Sequence, residues 1–296
     1  MKSKLTVPSK VFIIGEYAVL DGVPALVATF APRFGLGPRD ASLIQKEVFH
    51  PDSPAGRLMK QNRWEGIWEF TDPYLGAGGF GGSTAEFLLA YAITKMKSDL
   101  TIQPEDAWEA WTRYREFAPL ASGADLVAQW IGGTVVVDLK RQSAQTIDVD
   151  QIGQSILIFS AAHQEDRKVK THEHLNSNHA SFKVSSYIQL LVERAIDAFT
   201  RQHNQQLASA INQFGDSLRE LGLEIQATTE DREAFMKVPG VIAVKGTGAL
   251  QADGLVVMMD PAFLSKKAEV IQFAEARNLR CIARDLTNTE QGITVV

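Results

Sequence analysis

The sequence predicts an α+β protein, with strands and helices interleaved along one chain. Three observations carry that prediction. A glycine-rich run, Gly76-Ala77-Gly78-Gly79-Phe80-Gly81-Gly82, leads straight into apolar residues at helical spacing over 83–97. β-Branched runs such as Thr134-Val135-Val136-Val137 read as strands. The last third alternates strand (241–245), glycine turn, strand (255–259), helix (262–277) and strand (279–284). The element order alone does not fix how these pieces lie in space.

Taken in order, 11–14 is a short apolar strand, 15–22 a turn with Asp21-Gly22 punctuation, and 24–30 a second strand. Residues 31–63 are rich in Pro, Gly and Asp, with at most a weak strand near 42–48. A strand over 64–70 delivers the chain to the glycine run. Helices follow over 83–97, 104–117 and 122–130, the last ended by Gly132-Gly133. Trp108 and Trp111 share one side of the second of these and are expected to pack in the core. The polar run 141–146 marks the expected boundary between two halves, 1–150 and 151–296. Beyond it come a buried strand (156–161), a long helical region from about 169 towards 202, and helices over 207–221 and 229–236.

At 296 residues, with 45% hydrophobic and 22% charged side chains, one large domain or two closely joined ones is expected. The net charge of −5 gives no electrostatic case for nucleic acid or an anionic membrane. The longest apolar run, 87–93, is too short to span a bilayer. No apolar signal region opens the sequence, and the single cysteine, Cys281, excludes an internal disulfide. A cytoplasmic protein, monomeric or homodimeric, is expected, with Cys281 a core strand residue.

Five glycines in seven residues suit neither a strand nor a helix interior. A glycine loop entering a helix N-terminus offers unpaired backbone N–H groups and the positive dipole end, which is what a phosphate needs. A flexible surface turn is the plain alternative. Glu86, three residues after Ser83, fits a capping box. Gly76-x-Gly78-x-x-Gly81 satisfies the dinucleotide fingerprint in letters, but Asp72-Pro73-Tyr74-Leu75 separates it from the strand and no second strand with an acidic end follows. A Walker-type loop lacks its lysine, since Gly82-Ser83-Thr84 stands where Gly-Lys-Ser/Thr is required.

A third arrangement fits better. Pro8-Ser9-Lys10-Val11-Phe12-Ile13-Ile14-Gly15-Glu16-Tyr17-Ala18-Val19-Leu20-Asp21-Gly22 closely resembles the first motif of the GHMP kinases. Gly79-Phe80-Gly81-Gly82-Ser83-Thr84-Ala85 resembles their second, and Lys245-Gly246-Thr247-Gly248-Ala249 their third. Ser122-Gly123-Ala124-Asp125 resembles the segment carrying their catalytic aspartate, and the mevalonate branch is the most similar.

The resemblance implies a two-lobed α+β fold with the active site in the cleft between lobes, ATP and Mg²⁺ as cofactors, and a small anionic substrate. Gly76, Gly78, Gly79, Gly81, Gly82, Ser83 and Thr84 would wrap the triphosphate. Ser83 and Glu116 would hold the metal, Asp125 would take the substrate proton, and Lys10 beside it would stabilise developing charge. A helix cap is the alternative for Asp125, and a solvated strand-edge lysine for Lys10. Glu16, Tyr17, Gly246, Thr247 and Gly248 would contact substrate. So would Lys168, Lys170, Thr171 and His172, from a cationic cluster beginning at Arg167 that otherwise reads as a solvated helix start. Tyr17, Ser122-Gly123-Ala124-Asp125 and the clustered cations favour phosphomevalonate over mevalonate, with decarboxylation of the diphosphate third. The departures are Gly82 for a serine, Glu86 in the helix's first turn, and Leu250-Gln251-Ala252-Asp253 where further glycines are usual. They keep open a GHMP-fold binding or regulatory protein without turnover.

Overall fold

The first strand, β1 (Leu5–Ile14), is buried along nearly its whole length because its two faces enter different cores. Leu5 and Val7 face one core; a register shift between Pro8 and Ser9 reverses the parity, so that Phe12 joins the same core while Val11 and Ile13 enter the other. That irregularity places Lys10, two residues before Phe12, on the Phe12 side, with its ammonium 5.0 Å from the Phe12 ring. A computed structural model describes residues 4–38, 47–64, 67–76, 78–97, 103–161, 164, 167, 184–287 and 290–296.

β1 pairs antiparallel with β2 (Ala25–Pro38), which pairs in turn with β3 (Trp68–Thr71) and β4 (Thr134–Asp138); β5 (Ser143–Ile147) and β10 (Thr294–Val295) close the two edges. Onto one face pack α1 (Pro54–Gln61), α2 (Gly82–Lys97), α3 (Asp106–Phe117) and α4 (Ala124–Ile131), sharing a core of Phe34, Phe87, Leu88, Tyr114, Leu126 and Val135. The short helix α5 (Asp150–Gln154) leads into β6 (Ile156–Ser160), the start of a second antiparallel sheet with order β7 (Val241–Thr247), β8 (Gly254–Met259), β6, β9 (Arg280–Ala283).

Between the sheets lie α6 (Ser186–Thr200) and α7 (Asn204–Glu220), whose Leu191, Phe199, Ile211 and Phe214 meet Val11 and Ile13 of the first sheet and Ile156 and Ile158 of the second. The other face of the second sheet, with Leu157 and Phe159, packs on Phe235 of α8 (Gln226–Phe235) and Ile271 of α9 (Lys267–Ala276). Strands buried on both faces read as continuous apolar runs, which is how Ile156-Leu157-Ile158-Phe159 stands in the sequence.

Several elements differ from expectation. The Pro/Gly/Asp-rich region contains α1, capped by the Ser53 side chain accepting from Gly56 N–H at 3.1 Å, with Pro54 opening the helix. The polar run 141–146 forms most of β5, an edge strand whose side chains are largely exposed, so its composition reports solvent on an edge and not a linker. The helix expected over 262–277 opens as a 3₁₀ turn, Pro261–Lys266. Trp108 and Trp111 pack edge to face, half-buried against the first core. Most of the segment 169–185 expected to begin the long helix lies outside the described residues.

Candidate active site

The glycine loop is fixed to β1 before it enters α2. Lys10 N–H donates to Phe80 O at 3.1 Å, and the Phe80 side chain is buried against Phe30 and Tyr74. Gly79 and Gly81 sit at φ 97° and 93°, in the left-handed region. A Cβ on Gly81 would lie 2.6 Å from Gln129 Nε2 and 2.9 Å from Lys10 Cγ, so this residue is glycine for space as well as for backbone. Gln129, fully buried on α4, donates to Pro8 O at 2.7 Å and accepts from Thr84 Oγ1 at 2.5 Å, joining β1, α2 and α4 beneath the loop. Nothing in the sequence marks Gln129, because its role is visible only when three elements converge.

The loop faces a cavity of about 490 Å³. Gly76, Gly78, Gly79, Gly81, Gly82, Ser83 and Thr84 all line it, together with Lys10 and Asp125. The Lys10 ammonium lies 3.6 Å from Asp125 Oδ2 and 3.4 Å from Gly79 O, with about a tenth of its side chain exposed. Asp125 is in the first turn of α4, but the cap position belongs to Gly123 at φ 73°, and no side chain caps this helix. Among the described residues its carboxylate is held by Leu126 N–H at 3.1 Å and by Lys10, and it lines the cavity.

Trp111 fixes the approach to Asp125: its indole N–H donates to Ser122 O at 2.7 Å, and its ring leaves no room for a Cβ on Gly123. Tyr114, on the same helix, hydrogen-bonds Ser83; burial and the nearby Asp125 both push the phenol's pKa upward, so it stays protonated. Glu86, one turn beyond Ser83, makes no hydrogen bond or ion pair among the described residues; burial and then Asp72 raise its carboxyl to about 7. It therefore closes no capping box, and α2 begins at Gly82, ahead of Ser83.

Glu16 and Tyr17 line the same cavity, but Glu16 Oε1 and the Tyr17 hydroxyl are engaged by residues outside its lining, while Glu16 Oε2 is buried without a hydrogen-bond partner among the described residues. Glu16 Oε1 accepts from Lys245 Nζ, and from Gln251 Nε2 at 3.1 Å, while Tyr17 OH accepts from Leu250 N–H at 2.7 Å. Lys245 is fully buried, and burial lowers its pKa against the opposing pull of Glu16. These contacts tie the first motif's turn to the third. Gly248 reaches the cavity; Gly246 and Thr247 do not. They lie buried in β7, where a Cβ on Gly246 would meet Gln251 O at 2.6 Å.

The structure also keeps Glu116 out of the cavity: its side chain is about half exposed and paired with Arg113 on the outside of α3. Arg167 is withdrawn from the cationic cluster, being buried against Asp231 at 2.5 Å. Lys168, Lys170, Thr171 and His172 lie outside the described residues. Cys281 is half-buried in β9 and does not line the cavity. Among the described residues no group of three or more His, Cys, Asp or Glu side chains is placed to hold a metal ion.

A second cleft, of about 480 Å³ and mostly apolar, meets the first at Ser83, Leu120 and Ala121; Pro54 of α1, Phe117 at the end of α3, Pro119, His50 and Asp52 also line it. The two clefts thus share the start of α2.

No protein-family model matches the chain, and no curated protein matches it in sequence. Solved structures do. Mevalonate kinase from Methanococcus jannaschii aligns with a TM-score of 0.71 at 15% identity, over 95% of this chain and 97% of that one. Phosphomevalonate kinase from Streptococcus pneumoniae aligns at 0.69 and 12%, over 98% and 100%. Galactokinase from Lactococcus lactis aligns at 0.69 and 12%, over 99% and 94%. The two antiparallel sheets and their helices therefore share the fold of these small-molecule kinases.

Proposed function

We propose that the protein is an ATP-dependent kinase that phosphorylates a small acid alcohol of the mevalonate route. The observation that carries this is the Lys10–Asp125 pair, held at 3.6 Å, together with the left-handed glycines at the start of α2, in one cavity. Phosphoryl transfer is mostly positioning and charge neutralisation, and this arrangement supplies both.

The apolar cleft by Pro54 and Phe117 would hold the nucleoside, and the loop Gly78–Ser83 between the two cavities would hold its phosphates. The Ser83 hydroxyl is the hard oxygen the loop would offer to Mg²⁺. Bound Mg²⁺ neutralises charge on the phosphates. Asp125 accepts the proton of the substrate hydroxyl, and Lys10 stabilises negative charge on the transferring group.

Phosphomevalonate is placed first and mevalonate second. With Arg167 buried against Asp231, that order rests on Tyr17, Ser122-Gly123-Ala124-Asp125, Lys168 and Lys170. The division into lobes near residue 150 belongs to the same reading. The experiment supplies Mg·ATP with mevalonate, phosphomevalonate and its diphosphate, alongside homoserine and galactose, and follows ADP and CO₂. Phosphorylation of either of the first two without CO₂ is expected. Transfer only to homoserine or galactose overturns the substrate class, and ATP binding without transfer to any alcohol returns the protein to the binding or regulatory class.

A further inference from the structure

The third glycine turn is occupied by its own chain. Asp253 starts the segment entering β8, and its backbone is fixed by Asp253 N–H donating to Thr247 O at 3.0 Å and Ala161 N–H donating to Asp253 O at 2.9 Å. From there its carboxylate reaches across the cleft to the other half's loop. A Cβ on Gly79 or on Gly248 would collide with the Asp253 side chain, and one on Gly78 would lie 3.7 Å from its Oδ1. The Ala249 N–H is close enough to lower the carboxyl's pKa, and it is a backbone donor of the kind a phosphate oxygen uses. Among the described residues lining the cavity, Lys10 is the one cation, against the carboxylates of Glu16, Asp72, Glu86, Asp125 and Asp253.

We propose that Asp253 is a built-in anion of the phosphate cradle, a specificity-determining residue that disfavours a polyphosphate arriving without its divalent cation. This rests on the reading of the cavity as a nucleotide site. The Asp253 carboxylate and a polyphosphate compete for the same turn donor and the same lysine, and between them the Coulomb term is repulsive in a half-buried site. A cation carried by the nucleotide cancels most of that repulsion; bare ADP or tripolyphosphate does not. Burial, which raises the Asp253 carboxyl to about 6 against the lowering pull of Lys10, is consistent with a carboxylate placed where charge is costly.

The test is calorimetric titration of the full chain with ADP and with tripolyphosphate, each with and without Mg²⁺, comparing the natural protein with Asp253→Asn and Asp253→Ser. Asn keeps the shape and an acceptor for Ala249 N–H, and Ser guards against a defect peculiar to the amide; thermal unfolding checks that both variants fold. The expected result is a gain of about tenfold or more in affinity for the metal-free ligands, a smaller gain with Mg²⁺, and loss of most of the gain in about 0.5 M salt. Unchanged or weaker metal-free binding in both folded variants overturns the proposal. Weakening confined to the Mg²⁺ complexes also overturns it, because it makes Asp253 a metal ligand. Failure of every form to bind any nucleotide rejects the nucleotide site itself, a result distinguishable from all of these.

Discussion

Two lysine–carboxylate pairs stand within the same site, and they are built in opposite ways. Lys245 and Glu16 are buried, and Lys245 also donates to Gly246 O at 2.7 Å while Gln251 donates to Glu16. Lys10 and Asp125 stand 3.6 Å apart at the cavity wall, and the aspartate is about one-fifth exposed. The first pair is enclosed by its partners and joins the two halves. The second is looser and open, so both members can exchange their mutual contact for a ligand. Residue type does not separate the two; burial does, and it leaves Glu16 Oε2 enclosed without a hydrogen-bond partner among the described residues.

The sharpest way to break the comparison is through the open pair. Asp125→Asn is expected to lower phosphoryl transfer by about 10²–10⁴-fold, the usual worth of a general base, with ADP affinity and unfolding temperature nearly unchanged. Near-normal turnover in single-turnover assays would return Asp125 to a local structural role. The enclosed pair should show the reverse. Lys245→Met leaves the Glu16 carboxylate buried without its cation, at a cost of about 3–5 kcal/mol of stability. Lys245→Met with Glu16→Gln should recover much of that loss, a coupling measurable by urea unfolding of the full cycle. Strict additivity of the two substitutions would show that the pair is not a unit.

Ser83→Ala probes the loop between the pairs. It removes a hydroxyl that bonds Tyr114 and stands at the junction of both clefts, without touching the glycines. The Mg²⁺ concentration needed for half-maximal activity is expected to rise by about tenfold, with folding retained. An unchanged Mg²⁺ dependence removes Ser83 from the metal shell.

What the sequence made legible follows the same division. The glycine loop entering a helix was legible from local chemistry, whereas Lys10, Ser83 and Asp125 were singled out by the motifs they resemble; the structure places all of them on one cavity. The order of strands and helices was also readable locally, through apolar periodicity. The side of β1 on which Lys10 lies was not, because it depends on a register shift at Pro8/Ser9 that periodicity does not carry. Gln129 and Trp111 act by joining elements distant in sequence, and Gly246 and Thr247 belong to a motif yet are turned into the sheet. Glu116 followed from the resemblance, as the nearest glutamate upstream of Asp125, but its turn of α3 faces Arg113 and solvent. Asp253 was visible only as a departure from glycine; that it fills the opposite loop required the fold.

The smallest expected effect concerns Glu86, the half-buried carboxylate beside the open pair's loop. Burial and Asp72 raise its carboxyl from the ordinary value of 4.5 to about 7. A raised native pKa means the folded protein holds this proton more tightly than the unfolded chain does. Stability from that proton is therefore complete below about pH 4.5 and is lost as pH rises through about 7, after which the charged carboxylate is a constant penalty. Glu86→Gln keeps the shape and removes the titration. With each pKa unit worth about 1.4 kcal/mol, and a discount for the part of the side chain that water reaches, the variant should be about 1–2 kcal/mol more stable than the natural protein at pH 8. The difference should shrink towards zero near pH 5. Urea unfolding at the two pH values measures it directly. An equal difference at both would mean that packing, and not charge, sets the cost of Glu86, and the cavity's acidic wall would then be better solvated than its burial implies.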